Sequence, residues 1–136
     1  MPPIMRMVYK ITAYLLVLFG IVYVALTPLF FRHFGLEVLW FAGTGLGLVF
    51  LGNMNLIVLL NRRSAFYMMV ITSNVMALLL MVVILAMSPA PQAYIGLGLT
   101  LVITITSVNE YVRLVRELVR ETSKKQQQEE KAGEED

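Results

Sequence analysis

Cysteine is absent from this chain of 136 residues, which excludes disulfides, thiolate metal sites, thiol redox chemistry and a cysteine nucleophile. Histidine occurs once, so no haem-ligating histidine pair can form, and no hydrolytic triad or paired-carboxylate site is recognisable either. Charge is scarce, at 15% of residues against about 25% in ordinary soluble domains. It is also unevenly scarce. Ile11–Phe31, Val38–Leu60, Ala65–Met87 and Ala90–Asn109 contain no Asp, Glu, Lys or Arg at all.

What fills those stretches is apolar on every face, in keeping with 58% hydrophobic residues and a mean hydropathy of +0.74. An α-helix needs about 20 residues to cross about 30 Å of hydrocarbon, and each stretch supplies them. Strands of a membrane barrel would be shorter and would alternate in polarity. The sequence therefore predicts an all-α integral membrane protein of one domain, with spans of about 11–31, 38–60, 65–87 and 90–112. The first stretch is too long for the apolar core of a signal peptide, about 7–15 residues, and reads as a retained span. The connections around Arg32–Glu37, Asn61–Ser64 and Ser88–Pro91 are short. Consecutive helices should be antiparallel neighbours in an up-down-up-down four-helix bundle. Pro28 should kink or end helix one.

Basic residues set the expected orientation. Arg6, Lys10, Arg62, Arg63, Arg113, Arg116, Arg120, Lys124, Lys125 and Lys131 fall on one side, and Arg32 alone on the other. The positive-inside rule puts both termini in the cytoplasm, in a cell membrane of the bacterial inner-membrane kind. Phe34, Trp40 and Tyr94 mark the outer interface; Tyr9, Phe66, Tyr67 and Tyr111 mark the inner one. Helix four extends to Thr122 as an amphipathic segment, with Leu114, Val115, Leu118 and Val119 between Arg113, Arg116, Glu117 and Arg120. Residues 123–136 are polar and low in complexity, the composition of a disordered cytoplasmic tail.

Polar and small residues inside the spans are the candidates for function or helix packing. Asn53 and Asn74 lie at similar depth on either side of the cytoplasmic turn, forming either an interhelical clasp or a midplane binding site. Asn55 faces well away from Asn53 around the helix. Gly43 and Gly47 share one face of helix two, and Gly45 and Gly52 nearly the opposite one, offering close approach to two neighbours. Gly96, Thr100, Thr104 and Ser107 form a ridge on helix four that Glu110 extends. That ridge is either packing or a polar path. Glu110 is either paired with Arg113 or a proton or cation acceptor.

Small multidrug-resistance transporters, another four-span group, carry a glutamate in their first helix; Ile11–Phe31 has none. No catalytic residues, metal site or cofactor are expected. The expected partners are the lipid bilayer and a second copy or another membrane protein, met through the helix-two glycines or residues 110–122; nucleic acid is not expected. The sequence favours a non-catalytic structural, accessory or assembly component of the membrane. The alternative is a small oligomeric transporter or channel using polar residues of helices two to four.

Overall fold

A computed structural model describes residues 3–61, 63–87 and 89–134. Arg62 and Ser88, which the sequence puts in the second and third connections, and the last two acidic residues lie outside the described residues. The described chain is four helices: α1 (Pro3–Phe30), α2 (Leu36–Leu60), α3 (Ser64–Met87) and α4 (Pro91–Glu134). Each is long and apolar enough to cross a membrane. Helix is the form these sequences must take in hydrocarbon, where every backbone N–H and C=O needs a partner within the segment.

Each helix buries a seam that advances in alternating steps of three and four residues. On α1 it runs Tyr9, Ala13, Leu16, Gly20, half-buried Tyr23, Thr27. On α2 it runs Val38, half-buried Phe41, Gly45, Leu48, Gly52, Asn55, Leu59. On α3 it is Tyr67, Val70, Asn74, half-buried Ala77, Met81, half-buried Ile84; on α4 it is Ala93, Gly96, Thr100, Ile103, Ser107, Glu110, Leu114. A mean step of 3.5 residues keeps a narrow stripe facing its neighbours, the pattern of knobs-into-holes packing.

The closest pair is α1 with α2. Gly20 lies against Gly45, and Gly52 lies against Ala13 and Val17, so numbering rises on one helix as it falls on the other. A Cβ on Gly20 would stand 2.6 Å from the Gly45 carbonyl oxygen. Glycine is required there because backbone meets backbone. Above this contact Phe41 stacks on Tyr23 with ring centroids 4.0 Å apart, and Phe31 meets Phe41 edge-on at 5.5 Å. At the other end of the pair Arg6 Nη2 donates to the Leu59 carbonyl at 3.2 Å, a cation placed at the negative end of α2. The second tight pair is α3 with α4; α1 also packs on α4, and α2 packs more lightly on α3.

Pro28 lies within the last turn of α1, which ends two residues later at Phe30; a proline this late removes a single N–H from the ladder. Tyr9 and Tyr67, two of the inner-interface aromatics, are buried against the neighbouring helices. Residues 123–134, which composition reads as disordered, continue α4 without a break. Lys, Gln and Glu are good helix formers, and Glu121–Lys125 and Gln127–Lys131 stand four apart, where side chains meet.

Candidate functional site

Four polar residues of the interior converge at one level of the structure, with one side chain from each helix. Tyr9, Asn55, Asn74 and Ser107 are all fully buried. Tyr9 Oη donates to Asn55 Oδ1 at 2.7 Å. The two amides then bond reciprocally, Asn55 Nδ2 to Asn74 Oδ1 at 2.9 Å and Asn74 Nδ2 to Asn55 Oδ1 at 3.0 Å. Asn74 Nδ2 also donates to Ser107 Oγ at 3.0 Å. The remaining hydrogens turn back onto the helices: Asn55 Nδ2 to the Leu51 carbonyl at 2.7 Å, and Ser107 Oγ to that of Thr104 at 2.9 Å. Every donor hydrogen of the four side chains is therefore committed, and Asn55 uses its full capacity of two donors and two acceptor sites.

Asn74 is thus in a cross-helix amide pair, but its partner is Asn55 and not Asn53. Asn53 is exposed on the outer side of α2. Asn55 is two positions on from Asn53, or about 200° around the helix, so burying one turns the other outward. Tyr9, which the sequence marks only as an interfacial aromatic, is the fourth member of the network. The signal for Asn55 was its spacing of three from Gly52 and ten from Gly45, which puts it on the small-residue seam.

The glycines of α2 divide as their angles require. Gly45 and Gly52 are buried against α1, whereas a Cβ on Gly43 or Gly47 would meet nothing within 4 Å. Only one of the two small faces is occupied within the chain. On α4 the ridge lines the core. Gly96 faces Met81, whose sulfur would stand 3.1 Å from an added Cβ. Thr100 donates to the Gly96 and Leu97 carbonyls at 2.8 and 3.0 Å, and half-buried Thr104 to that of Thr100 at 2.6 Å. These hydroxyls are satisfied by their own helix, as is common for Ser and Thr in apolar surroundings.

Glu110 stands apart from this closed set. It lies on the α4 seam one turn from Ser107 and is nine-tenths buried. Its Oε1 accepts no hydrogen bond among the described residues. Arg113 Nη1 is 3.9 Å away, while Arg113 Nε donates to Glu117 at 3.0 Å. The expected Glu110–Arg113 pair is therefore marginal, and Arg113 engages Glu117 more closely. A cavity of about 10 Å³ opens between Tyr67, Glu110, Arg113, Leu114 and Glu117, near the smallest space that holds one water. No protein-family model, curated protein or solved structure matches the chain.

Proposed function

We propose that this chain is a non-catalytic structural, accessory or assembly component of a cell membrane, built as an up-down-up-down bundle. The observation that carries this reading is the closed polar network, in which Tyr9, Asn55, Asn74 and Ser107 spend their donors on one another and on backbone. A solute accepting hydrogen bonds at this level would need free donors, and every donor hydrogen of these side chains is spent in joining the four helices. The distribution of basic residues supports cytoplasmic termini, with the α4 extension on the same side and an inner membrane of bacterial type as the setting. The test is reconstitution of the full chain in liposomes loaded with a pH-sensitive dye. Wild type and N74L should leave proton leak at the level of protein-free vesicles, while N74L melts at lower temperature in detergent. A leak present in wild type and lost in N74L would overturn the proposal.

One observation favours a small oligomeric transporter or channel as the second reading. Glu110 is a carboxylate on the buried seam with an oxygen that lacks a hydrogen-bond donor, and buried acids inside membranes often mark ion or proton routes. A wild-type proton leak abolished by E110Q would establish this reading in place of the first.

A further inference from the structure

Asn53 presents a polar group where the bilayer has no partner for it. It is exposed, and no hydrogen bond reaches it among the described residues. It lies seven residues inside the Leu60 end of α2, or roughly 10 Å at 1.5 Å per residue, within the apolar stretch of that helix. Tyr14 is in the same position on the neighbouring helix. It is 55% exposed, and its hydroxyl has no hydrogen bond among the described residues. The contact of Gly52 with Ala13 and Val17 fixes α1 and α2 in register, so Tyr14 and Asn53 share one depth. Leu46, Phe50, Ile57 and Leu60 flank Asn53 on α2 and are all exposed. With Asn53 they step by four, three, four and three residues, a second seam on the outer side of the helix.

We infer that this outer face of the α1–α2 pair binds a second copy of the chain about a two-fold axis along the membrane normal, with Asn53 paired to Asn53 of that copy. The occupant is argued from complementarity. A primary amide carries both a donor and an acceptor, so it pairs with its own image, as Asn55 and Asn74 do at 2.9 and 3.0 Å. A two-fold copy in the same membrane necessarily brings Asn53 to its own depth, and a two-fold interface is made of one patch meeting itself. Lipid tails offer the amide nothing, and a different protein would have to carry a polar group at this level. Polar side chains at such positions fix register and partner number in helix pairs. The inference goes beyond the accessory role proposed above and does not depend on it.

The absence of cysteine makes the test clean. F50C should form a disulfide-linked dimer of twice the chain mass when full-length protein in native membranes is oxidised. L79C, an exposed position at matching depth on α3, should not. In the F50C background, N53L should lower the dimer yield about tenfold, the equivalent of about 1.4 kcal/mol, and N53Q should restore most of it. The inference is overturned if F50C links no better than L79C, if N53L leaves the yield unchanged, or if F50C links to a product of a different mass.

Discussion

At the scale of single residues, the two asparagines of α2 show how little separates a structural side chain from an exposed one. Asn55 makes four hydrogen bonds in the interior and Asn53 makes none among the described residues, though both are amides at nearly the same depth. Replacing Asn74 by Leu leaves the amide of Asn55 without its reciprocal partner and removes the donor to Ser107. A buried polar group deprived of its partner costs about 1–3 kcal/mol, and interhelical hydrogen bonds in membranes contribute about 0.6–2 kcal/mol each. N74L should therefore lower the melting temperature in detergent by roughly 5 °C or more. S107A, which removes one acceptor, should cost less than N74L, and N53L should leave the melting of the separated chain unchanged. Differential scanning of the three variants gives the order directly. The depth of these residues was legible in the sequence, because it is counted from Arg62 and Arg63. Their rotation was not read from residues 53 and 55 alone. It becomes readable only when Asn55 is set against Gly52 and Gly45, since the side chains around them are apolar on every face.

At the scale of helices, the same distinction separates the glycines. Charge marks where a span ends, because an ionised group in hydrocarbon is costly, so the four spans were visible from the charge-free stretches. Which face of each helix turns inward depends on where small and polar residues recur, and hydrophobicity carries no such signal when all faces are apolar. The α4 seam was readable because Gly96, Thr100 and Ser107 recur along it, whereas the α1 seam runs through Ala13 and Leu16, which nothing distinguishes from their neighbours. These contacts predict a graded response to added bulk. G20A and G52A drive a methyl group to within 2.6 Å of the Gly45 oxygen and 2.9 Å of the Ala13 oxygen, respectively. Backbone cannot yield as a side chain does, so each should destabilise the fold by about 1–3 kcal/mol or more. G96A meets the flexible Met81 thioether at 3.1 Å and should be milder. G43A and G47A meet nothing within 4 Å and should be neutral or slightly stabilising, because Ala is the better helix former. The measurement is the fraction of folded protein after heating in detergent, and equal loss across the five variants would contradict the α1–α2 contact.

At the scale of the whole molecule, α4 sets the shape. Its 44 residues extend about 66 Å at 1.5 Å per residue, about twice the thickness of the hydrocarbon. Its buried seam ends at Leu114, and residues 118–132 are exposed throughout. The far portion is held by its own backbone and by side-chain neighbours one turn apart, not by the bundle. The modest net charge of +2 conceals a division along this axis: the last eight residues carry −4 and the rest of the chain +6. The acidic end therefore belongs to water, while Arg113, Arg116 and Arg120 stand nearer the membrane, where anionic headgroups attract basic side chains. Removing residues 123–136 should accordingly leave both the melting temperature and membrane insertion unchanged, because residues 123–132 are exposed and lie beyond the buried seam. Converting Arg113, Arg116 and Arg120 together to Glu should act differently. It breaks the Arg113–Glu117 bond of 3.0 Å and reverses the basic cluster that follows the last span. On the proposed orientation, with the C-terminus in the cytoplasm, the expected result is weaker retention of that end there, read by a fused reporter enzyme that works only in that compartment. Full reporter activity in the triple variant, with loss of activity in the truncated chain, would mean that the acidic end and not the arginine cluster holds α4 in place.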